Sequence, residues 1–216
     1  MSMHQWNLTP DEAIAMQDAL RGKVQRTNGF VPAEIRTVAG VDVDYSDAGR
    51  AAIVILSFPD LAPLTQAVAT VSSPFPYVPG LLSFRECPSA LAAWEQLTVK
   101  PDLIICDGQG LAHPRRFGLA CHMGVLLDIP SIGCAKTHFI GTYDEPGPHA
   151  GDRTPLRDGD EVIGCVLRTR ADTKPLFVSI GHKIDLDTAA DFVLRCTRGF
   201  RLPETTRAAD HLARGH

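Results

Sequence analysis

Three acidic residues far apart in the chain could do carboxylate chemistry: Asp42, Glu86 and Asp107. Asp42 lies inside Val38-Ala39-Gly40-Val41-Asp42-Val43-Asp44-Tyr45, where alternation puts Asp42 and Asp44 on one side of a strand and the apolar residues on the other. A mid-strand carboxylate needs a partner if it is buried; a solvent-facing strand side explains the alternation equally well. Asp107 ends the apolar run Leu103-Ile104-Ile105-Cys106. Carboxyl ends of strands are where α/β sheets place their sites, although an inert Asp-Gly turn is the plainer account. Glu86 sits in Phe84-Arg85-Glu86-Cys87, where a surface position beside Arg85 is the ordinary reading. Taken together, the three acids suit a hard divalent cation, which takes a few carboxylates and keeps positions open for water and phosphate oxygens. A cation held this way polarises a phosphodiester and stabilises the leaving oxygen.

Such convergence needs a first strand, a later helix and a central strand. The sequence supplies all three. Thr9 can cap a helix, with Pro10 in its first turn and Glu12 completing a capping box. Ala13, Met16, Leu20 and Val24 then recur at helical spacing, up to a stop before Asn28-Gly29. Strand-like runs over 37–45, 51–58 and 65–71 follow, separated by Asp47-Ala48-Gly49 and by Pro59 and Pro63, and read as an antiparallel meander. Pro74, Pro76 and Pro79 make 74–80 a loop. Helix is expected over 81–86 and 88–97, 117–127, 187–197 (capped by Asp187 or Thr188) and 203–213. Strand is expected over 103–106, 131–135, 162–168 and 176–180, the last two as a hairpin. The Pro- and Gly-rich stretch 144–160 reads as an exposed excursion. A meander followed by alternating strands and helices predicts a mixed α/β sheet with helices on both faces. No repeat or linker interrupts it, so residues 1–216 are expected to form a single domain.

Composition narrows the classes further. With 44% hydrophobic and 21% charged residues, the chain is neither disordered nor fibrous. Its net charge of -4 argues against coating nucleic acid by bulk charge. The six cysteines form no Cys-x-x-Cys and no zinc-site spacing, and several lie in apolar runs, as buried free thiols do. Such thiols suit a reducing compartment. Residues 1–6 do not read as a signal peptide and no run is long enough to span a membrane, so a cytoplasmic location is expected.

Longer runs carry more information. Val41-Asp42-Val43-Asp44, Pro76-Tyr77-Val78-Pro79-Gly80-Leu81-Leu82-Ser83-Phe84-Arg85-Glu86, Asp107-Gly108-Gln109-Gly110-Leu111-Ala112-His113-Pro114-Arg115-Arg116-Phe117-Gly118, Ser131-Ile132-Gly133-Cys134-Ala135-Lys136 and Leu202-Pro203-Glu204-Thr205-Thr206-Arg207 together resemble the endonuclease V family. The likeness runs from the first helix to about Asp210. It implies a ribonuclease H-like fold, with Asp42, Glu86, Asp107 and Lys136 catalytic and Asp42 and Asp107 binding Mg²⁺, with Mn²⁺ able to substitute. Asp210 is the expected third metal-associated acid, in preference to its neighbour His211. The resemblance further implies cleavage of the second phosphodiester 3′ to a deoxyinosine in DNA, single- or double-stranded, leaving 3′-hydroxyl and 5′-phosphate ends. Some family members prefer inosine in RNA.

In those roles Tyr77, stiffened by Pro76 and Pro79, is a wedge for the space a flipped base vacates. Gly80, Leu82, Gly108 and Gly110 would let backbone groups approach the base, while His113, Arg115 and Arg116 are candidate phosphate or nucleotide contacts. The alternatives are an inosine-specific endoribonuclease of the same fold, a nucleic-acid-binding module without cleavage, and a small-molecule phosphatase. The protein is expected to be a monomer. The acidic total is concentrated in residues 1–108, with 7 basic and 12 acidic residues against 14 and 13 in residues 109–216. Arg115, Arg116, Lys136, Arg195, Arg198, Arg201 and Arg207 are therefore available to line a groove.

Overall fold

The computed structural model describes residues 6–45 and 49–215. The expected Asp47-Ala48 turn and the start of the N-terminal run lie outside them. Helix α1 (Pro10–Arg21) begins as its sequence dictates, with the Thr9 side chain and Glu12 capping each other reciprocally. It stops at Gly22, so Val24 lies beyond it. Strands β1 (Thr37–Asp44), β2 (Arg50–Ser57) and β3 (Pro63–Thr70) form the antiparallel meander.

Helix α2 (Leu82–Gln96) is one helix, not two pieces. Pro88 removes a backbone donor from its interior, a loss worth ~3 kcal/mol in isolation. The helix continues because Phe84, Cys87, Ala90 and Ala93 are completely buried, and packing outweighs the missing bond. Strand β4 (Leu103–Cys106), helix α3 (Leu119–Leu127) and strand β5 (Ser131–Ala135) follow. The stretch expected as an exposed excursion contains strand β6 (Arg153–Asp158), which pairs with β7 (Glu161–Leu167). It is an edge strand that buries only Leu156, so its sequence carries little apolar alternation and tolerates Pro155. Strand β8 (Leu176–His182) completes the expected hairpin with β7. Helix α4 (Leu186–Arg195) is capped by Asp185, whose carboxylate accepts from the Thr188 N–H at 2.7 Å, not by Asp187 or Thr188. Helix α5 (Glu204–Ala213) ends the fold.

All eight strands join one sheet in the order β3-β2-β1-β4-β5-β8-β7-β6. The β1-β4-β5 centre is parallel and both flanks are antiparallel, the ribonuclease H-like arrangement. Helix α2 covers one face, over Ala39, Val41, Ile104 and Cys106. Helix α5 lies on the other, over β1 and β2. Gly40 permits that approach, since a Cβ there would stand 1.9 Å from the Thr205 carbonyl oxygen. All six cysteines are buried and free, as expected. Among the described residues no helix is long and apolar enough to cross a membrane.

Candidate active site

The parallel register between β1 and β4 assembles the first two acids. Val41 pairs with Cys106, and the Asp107 N–H donates to the Val41 carbonyl at 3.0 Å, extending the ladder by one residue. Asp42 and Asp107 therefore stand side by side at the carboxyl ends of neighbouring strands. Helix α5, docked over Gly40, brings in Asp210. One oxygen from each of Asp42, Asp107 and Asp210 lies within 4.8 Å of the other two. Asp44 and His211 are outside this group, and Asp210 is the residue that the C-terminal helix brings to it.

Lys136, one residue past β5, binds the cluster together. Its Nζ lies 2.5 Å from an Asp107 oxygen and 3.2 Å from an Asp210 oxygen. Burial pulls the Lys136 pKa down, but its bonds to Asp107 and Asp210 outweigh that and raise it, so the ammonium stays charged. Arg214 reaches the same Asp210 oxygen at 3.1 Å. Burial, then the charge of Asp107, pushes Asp42 up to about 6. Burial also raises Asp107, against the pull of Lys136. Glu86 comes from α2 on the opposite face and does not join the three-oxygen group. It is 8% exposed, and burial, then Asp42 and Asp107, raise its pKa well above its ordinary value. Three hard oxygen donors this close together, two of them (Asp42 and Asp107) with raised pKa values, fit a divalent cation that would relieve the repulsion.

Beside the cluster is a cavity of about 490 Å³ lined by Asp42 and Asp107 of the cluster, by Lys136 and by Glu86. Of the expected substrate-contact residues, Tyr77, Gly80, Leu82, Gly108 and His113 line the cavity. Tyr77 is 68% exposed in the middle of the proline-bound loop, whereas Phe75 in the same loop is buried. Sequence reasoning missed Gln109, Thr137, His138 and Phe139, which also form the wall. Their signal was adjacency: Gln109 lies within Asp-Gly-Gln-Gly, and 137–139 continue directly from Lys136.

Three of the expected contact residues lie outside the cavity lining. Gly110 does not face the cavity; it is a glycine because a Cβ would stand 2.1 Å from the Ile180 carbonyl oxygen of β8. Arg115 is committed to Gln17 and to the Gly80 carbonyl. Arg116 is held by Asp158 at 2.7 Å and Glu161 at 2.8 Å, and neither arginine lines the cavity. His113 does line it, but burial, then Arg115, lowers its pKa to about 4, so it is neutral at pH 7 and offers no charge to a phosphate.

With this geometry in view, the relatives are informative. The family model described as Endonuclease V matches residues 18–211. The chain is 53% identical to Endonuclease V of Roseiflexus castenholzii over 97% of this chain and 94% of that protein. A crystal structure of Endonuclease V from Streptomyces avermitilis superposes with a TM-score of 0.92 at 48% identity, covering 97% of this chain and 93% of that one. The Ciona intestinalis Endonuclease V, in complex with a DNA 24-mer containing an inosine followed by a ribo-adenosine, superposes with a TM-score of 0.84. It is 29% identical, over 94% of this chain and 95% of that one.

Proposed function

The chain belongs to the endonuclease V family, and from that premise we propose that it is a Mg²⁺-dependent endonuclease that recognises deoxyinosine in DNA. It hydrolyses the second phosphodiester bond 3′ to the lesion, leaving 3′-hydroxyl and 5′-phosphate ends. The observation that carries this reading is the adjacency of two features: a cavity large enough for a base is lined by Asp42 and Asp107 of the convergent carboxylate cluster and by the Lys136 bonded to it. An enzyme that reads a flipped base and cuts nearby needs both.

Asp42, Asp107 and Asp210 would hold the cation. The chemistry Mg²⁺, or Mn²⁺ in its place, supplies at such a site is polarisation of the phosphodiester and stabilisation of the leaving oxygen. Lys136 keeps Asp107 and Asp210 in place and presents a charged N–H at the cavity edge, where it orients the attacking water or the scissile phosphate. Glu86, its pKa raised first by burial and then by Asp42 and Asp107, lines the same edge and completes the acidic set. Tyr77 occupies the gap left by the extruded base. Backbone groups around Leu82 and Gly108 meet the base, while the Gly80 carbonyl is already occupied by side-chain donors.

The test uses end-labelled DNA strands with one inosine or one adenine at the same position, incubated with Mg²⁺ or with EDTA. Cutting one bond beyond the 3′ side of inosine, only with metal, is expected. Cleavage that ignores inosine, or that survives EDTA, refutes the proposal. The Ciona relative's ligand carries a ribose directly after its inosine, which favours a second reading, inosine in RNA, so an RNA strand belongs in the same assay.

A further inference from the structure

Helix α1 is amphipathic, yet the two side chains it buries fully are Ala13 and Gln17. A buried amide must place its donors and its acceptor or carry the cost of leaving them unpaired. Gln17 places them all. Its Nε2 donates to the Gly80 carbonyl at 3.0 Å and to the Phe117 carbonyl at 3.1 Å, and its Oε1 accepts from Arg115 Nε.

The Gly80 carbonyl is a shared target. It also accepts from His113 Nε2 at 2.9 Å and from Arg115 Nη2 at 2.7 Å. His113 Nδ1 accepts the Arg115 backbone N–H at 3.2 Å, so Nε2 carries the proton and is the donor. Gly80 closes the loop that carries Tyr77, and it lines the cavity. Phe117 precedes Gly118 and Leu119, which form another part of the same wall. Gln17, which does not itself line the cavity, ties these two wall segments to each other.

We propose that Gln17 is a positioning residue that sets the separation of the Gly80 and Gly118 wall segments, and thereby the discrimination of hypoxanthine from adenine. This deepens the functional reading above and rests on it. The two bases differ at C6, a carbonyl oxygen against an amino group, so telling them apart requires backbone partners held within roughly 0.5 Å. A wall freed on one side loses that registration while the catalytic acids stay where they are.

The experiment compares wild-type protein with Gln17→Met, which keeps the volume and removes the hydrogen bonds. It measures affinity for inosine and adenine strands by fluorescence anisotropy, and single-turnover cleavage of the inosine strand in Mg²⁺. The expected result is a fall of about tenfold in the inosine-to-adenine affinity ratio, the size of one lost buried hydrogen bond. The cleavage rate at saturating protein should change by less than the ratio does. A variant with a lowered melting temperature and an unchanged ratio overturns the proposal, because a merely structural glutamine behaves that way. Should Gln17→Met fail to fold, Arg115→Lys, which loses the fork joining Gln17 to Gly80, decides by the same ratio. Wild-type protein that does not distinguish the strands refutes the functional reading itself, and the role of Gln17 falls with it.

Discussion

Asp42 carries its charge at a cost, and removing that charge should stabilise the protein while abolishing its metal response. In the fold its pKa stands at about 6, raised first by burial and then by Asp107; in the unfolded chain it returns to an ordinary value near 3.8. The folded state therefore binds more protons than the unfolded state between those two values. The stability this contributes is fully present below about pH 4 and is lost as pH rises through about 6. At pH 7.5 the ionised carboxylate costs roughly 2–3 kcal/mol, from ~1.4 kcal/mol per pKa unit. Asp42→Asn removes that cost without changing volume. In EDTA at pH 7.5 its melting temperature should exceed that of wild type by about 4–12 °C, at ~2–4 °C per kcal/mol for a chain of this size. The gap should widen by roughly 1 kcal/mol between pH 5 and pH 7.5. Adding Mg²⁺ should raise the wild-type melting temperature and leave the variant nearly unmoved, because ligand stabilisation requires a site. Thermal scans at several pH values, with and without Mg²⁺, check each point. An Asn variant less stable than wild type in EDTA, or a gap that ignores pH, would refute the reasoning that like charge and burial dominate this site.

Asp107→Ala should cut turnover at least ~10³-fold in single-turnover assays, given the several kcal/mol that metal charge stabilisation supplies; a wild-type rate would remove Asp107 from the metal site. Tyr77→Ala should leave thermal stability within about 0.5 kcal/mol, because the ring is largely exposed. It should weaken inosine-strand binding about tenfold, the order of one base-aromatic contact, and unchanged affinity would exclude a wedge role. The logarithm of strand affinity should fall with the logarithm of salt at a slope no steeper than about -3, corresponding to three or four phosphate contacts; a slope beyond about -5 would require a basic groove.

Much of the central sheet was legible because its signals are local. The Thr9 capping box, the meander and the short apolar runs of β4 and β5 each announce themselves within a few residues. The pairing of Asp42 with Asp107 was not local, since it depends on a parallel register between strands 65 residues apart, which side-chain periodicity does not encode. Strand β6 escaped because an edge strand exposes most of its side chains. The continuity of α2 through Pro88 escaped because tertiary burial, not propensity, holds it. Gln17 left one faint mark, a polar residue four positions after Ala13 on the helix face that turns inward. Nothing in the sequence says that its partners would be carbonyls 63 and 100 residues away.

The arginines show most clearly why composition misleads about the partner. The sequence offers a surplus of basic residues in its second half, apparently ready for phosphates. In the fold, Arg116 is locked by Asp158 and Glu161, and Arg201 by the carbonyls of Lys136, Lys174 and Pro175. Arg195 lies over the Phe58 ring at 4.3 Å, Arg198 reaches the Pro59 carbonyl, and Arg207 is paired with Glu204 above Phe200. Among the seven cations expected to line a groove, only Lys136 faces the cavity, and it is already shared by two carboxylates. The expectation for a nucleic-acid strand is therefore that contacts inside the cavity and at the carboxylate cluster contribute more than the charge of these arginines. An affinity built that way depends on whether a base can leave its stack and be accommodated. That is why the geometry of the cavity wall, and the buried amide that spans it, should govern specificity more strongly than any surface charge.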